Sequence, residues 1–174
     1  MTLRHYLGSD RPFQAGHFGY VYTYKRYGDI PKSADPQAIE NIVDLSHLNE
    51  TLVQVYETEL DAAGLIIEDI SRLPWRQRLA VSKPYVYDLF GAFELRPELQ
   101  EQAPQAYEAA LKCLGLLFSQ IDEHLAEGEA VELYSCWDGE EEMGVRSERT
   151  LHLPSFTLSG PFALTDKQLI RVTK

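Results

Sequence analysis

Apolar and polar positions alternate with two different periods along this chain, and the change of period marks its elements. Residues 19–27 read GYVYTYKRY, so an extended chain would put Tyr20, Tyr22 and Tyr24 on one face and Val21, Thr23 and Lys25 on the other. This predicts a strand, ended by the turn residues Gly28, Asp29 and Pro31. The β-branched run IENIVDL over 39–45 predicts a second, shorter strand after a turn at Asp35-Pro36. Residues 51–70 begin with strand-like alternation in TLVQVYET and continue with ELDAAGLIIEDI, an amphipathic pattern weakened by Gly64. The expectation is a strand followed by a bend or a smaller helix near 60–71. Pro84 then opens an alternating segment through Phe90.

Helical spacing is clearest from Pro104 to about 127. Proline is tolerated in a first turn, Gly128 is a stop signal, and Tyr107, Leu111, Leu114, Phe118, Ile121 and Leu125 recur every three or four residues. A strand over Ala130 to Trp137 follows, with Val131, Leu133, Ser135 and Trp137 on one face and Glu132, Tyr134 and Cys136 on the other. Closing strands are predicted over 150–153 and 162–172, with a turn at Ser159-Gly160-Pro161. The predicted fold class is α+β, a mainly antiparallel sheet packed against one long amphipathic helix at about 104–127. No repeat, low-complexity tract or linker interrupts the pattern, so 1–174 is expected to be a single domain.

Composition narrows the function classes. Hydrophobic residues are 44% and charged residues 25% of 174, which is ordinary globular usage and excludes a disordered chain. The apolar runs, such as 114–118, are far shorter than the roughly 20 residues of a membrane span. The opening MTLRHYLGSDRP lacks an apolar segment of the secretory kind, which predicts a cytoplasmic location and no membrane partner. Cys113 and Cys136 belong to no CxxC pair and are expected to be buried thiols.

Net charge is −11, and it is unevenly placed. Residues 1–97 hold ten basic and thirteen acidic side chains, 98–142 hold one and twelve, and 143–174 hold five and two. Such a segment repels nucleic acid and attracts a basic protein at a rate that falls with salt. Within it Glu129, Glu132, Tyr134, Trp137, Asp138, Glu140, Glu141 and Glu142 set carboxylates around aromatics on one strand and the loop it feeds. Aromatic anchors ringed by charge suit a partner-binding surface, and a solvated loop suits the same pattern. The Arg72, Arg76 and Arg78 group around Trp75 offers cations to that segment from the same chain.

Catalytic motifs do not appear: there is no GxxxxGK[ST] loop, GxGxxG, HExxH or GxSxG. His5, His17, His47, His124 and His152 are scattered, so no cofactor and no metal site is expected. Asp44, Ser46 and His47 combine a carboxylate, a hydroxyl and an imidazole, but a DxSH run beside Asn49 is good capping chemistry. The tyrosine row with Lys25 and Arg26 has the residue types of a base-stacking platform, and the acidic balance argues for sheet packing instead.

Tyr6-Leu7-Gly8-Ser9, Gly16-His17-Phe18-Gly19, Pro84-Tyr85-Val86-Tyr87 and the run ELYSCWDGEE over 132–141 together resemble small bacterial immunity proteins. Those proteins accompany polymorphic toxins, including contact-dependent growth inhibition systems. The resemblance implies a non-enzymatic, cytoplasmic inhibitor that binds a cognate toxin domain, often a basic nuclease, here through the acidic surface. The rival expectations are a small enzyme with a site drawn from dispersed groups such as His17, His47 and Glu57, and a regulatory domain that pairs with another copy through a strand edge.

Overall fold

A computed structural model describes residues 2–174. In chain order its elements are β1 (Leu3–Ser9), β2 (Gly16–Phe18), β3 (Thr23–Arg26), α1 (Ile39–Ile42), β4 (Leu52–Val55), α2 (Glu59–Ala62), β5 (Leu65–Asp69) and β6 (Tyr85–Phe90). They continue with β7 (Glu94–Leu95), α3 (Pro97–Gln102), α4 (Pro104–His124), β8 (Ala130–Trp137), β9 (Ser147–His152), β10 (Phe162–Ala163) and β11 (Gln168–Thr173). The fold is α+β, and the chain forms two compact units, 21–62 and the remainder.

The larger unit is built on a seven-stranded sheet of order β2-β5-β6-β1-β8-β11-β9, antiparallel except for the β11–β9 pair. β1 lies at its centre, Leu7 opposite Tyr87 of β6 and Leu133 of β8. The sequence pattern does not predict this strand, because LRHYLGS has no clean alternation. Its polar side chains find their partners far away instead: Arg4 pairs with Asp88, His5 with Ser135 and Ser9 with His124.

One sheet face carries Leu7, Leu65, Ile67, Leu89, Leu133 and Ile170, and α4 packs against it. The buried stripe of α4 is Ala110, Cys113, Leu114, Leu117, Phe118 and Ile121. Leu111, placed on the apolar stripe by spacing, is 40% exposed, so the helix is rotated slightly toward its smaller residues. α4 ends at His124 rather than 127, and Gly128 takes a left-handed φ of 83° in the turn into β8, donating its N–H to the Lys174 carbonyl at 2.9 Å.

The opposite face carries Tyr6, Val86, Tyr134 and Cys136, covered by the segment 70–83 through Ile70, Trp75, Leu79 and Val81. Gly8 makes this cover possible, since a Cβ there would stand 2.2 Å from Val81 Cγ1. Parallel-style burial on both faces explains why β8 is almost wholly buried from end to end.

Several expectations change. Ile39–Ile42 is a helical turn and not a strand, because Asn41 Nδ2 donates to the carbonyls of Ser33 and Asp35 at 2.9 and 2.8 Å and fixes the local chain against its β-branched preference. The helix near 60–71 is only Glu59–Ala62; residues 65–69 are β5, which buries Leu65 and Ile67 while pairing with β6. Of residues 19–27 only Thr23–Arg26 are strand. The closing segment 162–172 divides into β10 and β11, separated by Lys167 with φ 54°.

The unit 21–62 comprises β3 paired with β4, the short helices α1 and α2, and two 3₁₀ turns. None of its residues is buried.

Candidate functional site

The eight acidic-segment residues do not share one surface. Tyr134 is fully buried, and Glu132 is 6% exposed. The Glu132 carboxylate accepts the Ser82 N–H at 2.7 Å and the Ser82 hydroxyl at 2.6 Å, tying the 70–83 cover to the sheet. Glu129 accepts from Ala126 N–H at 2.8 Å and from Arg11 Nη2 at 3.1 Å, and these bonds hold its carboxyl below the usual range. Glu140 meets Lys167 Nζ at 2.5 Å, where the ammonium is 6% exposed, and Glu142 meets Arg78 Nε at 3.2 Å. Glu141 accepts the Gly139 N–H at 3.1 Å. Five of the six carboxylates drawn from the sequence thus have an internal partner, and for Glu129, Glu140 and Glu142 that partner is a cation. Arg78, one of the cations flanking Trp75, does reach the acidic loop.

What the loop does build is a cavity of about 430 Å³ over the sheet face opposite α4. Arg4, Tyr6, Trp75, Arg78, Asp138 and Glu141 line it. β1 places Arg4 and Tyr6 on that face at a two-residue interval, the 3₁₀ turn Pro74–Arg78 supplies Trp75 and Arg78, and the turn after β8 brings the two acids. The Trp75 ring meets Tyr6 edge-on at 6.2 Å. Arg4 is bound to Asp88, which is 2% exposed, and stands 5.6 Å from the centre of the Phe90 ring. Burial pushes the Asp88 carboxyl above its ordinary range, and the guanidinium works against that push. Burial likewise pushes the Cys136 thiol up to about 11 and the Tyr134 hydroxyl to about 12, so neither is a ready nucleophile. Trp137, named from the sequence, is half-buried at the end of β8 and does not line this cavity, whereas Arg4 and Tyr6 do. Only an assignment of β1 as a strand could have found them.

Two serine–histidine pairs occur on the α4 side. His5 Nδ1 is 2.8 Å from Ser135 Oγ and His124 Nε2 is 2.8 Å from Ser9 Oγ. Both serines are buried, and burial lowers the His5 imidazole to about 4. These pairs satisfy polar groups inside the core. The dispersed groups His17, His47 and Glu57 are divided between the units, and none of them lines the 430 Å³ cavity. Asp44 accepts the Ser46 N–H at 3.0 Å, a local turn bond of the kind its DxSH spacing suggests.

The 21–62 unit presents the second candidate surface. Val21, Tyr22, Tyr24, Ile39, Ile42 and Leu52 are all more than two-fifths exposed. The Tyr22 ring packs edge-on against Tyr24 at 5.4 Å and Tyr56 at 5.9 Å, so the tyrosine row is a surface feature and not a core. The same unit holds a cavity of about 510 Å³ walled by Tyr27, Ile30, Ile39, Val43 and Leu45. Three basic and eight acidic side chains give the unit a net charge of −5.

Among the described residues no helix is long and apolar enough to cross a membrane, and no group of three His, Cys, Asp or Glu is placed to hold a metal ion. Comparison with protein-family models, with curated proteins and with solved structures gives no match.

Proposed function

We propose that this protein is a non-catalytic binder of another, basic protein, and that it acts as an immunity-type inhibitor of a cognate toxin domain. The observation that carries the reading is the 21–62 unit: forty-two residues without one buried side chain, displaying eight of the thirteen exposed large hydrophobics. Ordering a residue costs on the order of 1–2 kcal/mol in backbone entropy, which burial of apolar surface normally offsets. A unit with no core of its own gains that burial from a partner. Its charge of −5 disfavours a second copy of the same surface and favours a cationic one. A basic nuclease domain, whose active site is shaped for phosphates, has the complementary chemistry.

Tagged protein, incubated in lysate of its source organism at low and moderate salt, tests this. The expected result is one stoichiometric basic protein, lost as salt rises and absent when Ile39→Asp/Ile42→Asp is the bait; its activity should fall on adding the wild-type protein. Equal capture by the variant would remove this unit from the interface. Recovery of the chain's own second copy would make the surface a self-association face, and recovery of nothing specific would sink the inhibitor reading.

A further inference from the structure

Charge accounting around the 430 Å³ cavity gives it a definite preference. Both guanidiniums in its wall are already answered, Arg4 by Asp88 and Arg78 by Glu142. The two remaining charged groups of the lining, Asp138 and Glu141, are carboxylates, and among the described residues neither forms an ion pair, although Asp138 lies near enough to Arg4 to favour its charged form. The deeper wall is aromatic, with Trp75 and Tyr6 held at right angles to within 24°. Behind it Asp88, buried to 2% exposure, is the carboxylate that pairs with Arg4, so that part of the wall is close to neutral and the negative potential comes from Asp138 and Glu141. An aromatic face attracts a cation within about 6 Å, and the carboxylates beside it, Glu141 half-buried and Asp138 exposed, supply directed acceptors.

We propose that this cavity is an organic-cation site, which takes a guanidinium or alkylammonium group against Trp75 with Asp138 and Glu141 as its acceptors. The group can be carried by a free small molecule or by an Arg or Lys side chain of a protein; only the second source rests on the inhibitor reading. An inorganic anion is disfavoured because the guanidiniums that would hold it are paired. A bare metal ion is disfavoured because the aromatic wall offers it no ligand.

The test is a titration of the full chain, isotopically labelled, with agmatine, with an arginine-containing basic peptide and with inorganic phosphate. The two indole N–H signals are the readout: Trp75 should shift and Trp137 should not. Asp138→Asn/Glu141→Gln is expected to weaken cation binding at least tenfold, and Trp75→Leu to weaken it severalfold, while the unaffected Trp137 signal reports that the fold is intact. A Trp75 signal that stays still to millimolar agmatine and peptide, an unchanged affinity in the double variant, or tighter binding of phosphate overturns the proposal. Agmatine bound as tightly as the peptide assigns the site to a free cation; a strong preference for the peptide assigns it to a side chain. A basic partner captured normally by the double variant would refute a side-chain role here without touching the inhibitor reading, and agmatine binding with no protein partner would do the reverse.

Discussion

The sheet-and-helix body and the 21–62 unit use similar residue types to opposite ends. In the body, Leu114, Leu117, Ile121 and Leu133 are at most 1% exposed, and polar groups such as Glu132 and His5 find internal partners. In the smaller unit Ile39 and Ile42 stand 66% and 69% exposed, and the hydrogen bonds are those of one two-stranded ribbon and of local turns. The difference teaches that apolar content alone does not make a core. The body has a seven-stranded sheet of sequence-distant strands to cover with a helix on one face and the 70–83 segment on the other, while a two-stranded ribbon and two single-turn helices have nothing to enclose.

The largest expected break of this contrast is Leu114→Ala in α4. Removing a fully buried leucine should cost about 2–5 kcal/mol in denaturant unfolding, because the surrounding side chains relax only in part. Acidification comes next. The His5 imidazole is neutral in the fold, with its pKa lowered to about 4 by burial, whereas the unfolded chain takes up a proton near pH 6.5. Stability is therefore intact above that pH and falls between about 6.5 and 4, by about 3 kcal/mol in all, and His5→Gln should flatten that part of the pH profile. Glu132→Ala should cost about 1–3 kcal/mol by leaving the Ser82 N–H and hydroxyl without their acceptor, with faster amide exchange confined to the 70–83 cover. Ile42→Ser should change stability by less than about 0.5 kcal/mol, since the side chain contributes little burial. An effect of Ile42→Ser as large as that of Leu114→Ala would erase the contrast between the two regions.

The two regions also differ in how far the sequence revealed them. α4, β6 and β8 were legible because a Pro entry, a helical stripe and strict alternation are local signals, and each agrees with the packing that forms. β1 was not, since Arg4, His5 and Ser9 look like surface residues until Asp88, Ser135 and His124 arrive from 84, 130 and 115 positions away. Around 39–42 a β-branched run was overruled by side-chain hydrogen bonds to the preceding loop, which alternation cannot encode. For the acidic segment the charges were visible and their partners were not: Arg11, Ser82 and Lys167 answer Glu129, Glu132 and Glu140 from other parts of the chain. What the sequence marked as unsatisfied acid is largely satisfied, and the two acids of the cavity wall that form no ion pair among the described residues, Asp138 and Glu141, emerge only with the cavity.

The central place of β1 has a consequence for the order in which the molecule is made. A ribosome delivers this strand first among the sheet elements, yet its two neighbours begin at residues 85 and 130. Tyr6 and Leu7 must wait unpaired until Asp88 and Tyr87 have been made, and the closing of such distant pairs is slow compared with local helix formation. Nascent chains arrested before residue 130 would carry β1 with one edge still open, and those are the lengths at which holding chaperones and proteases would compete for this protein.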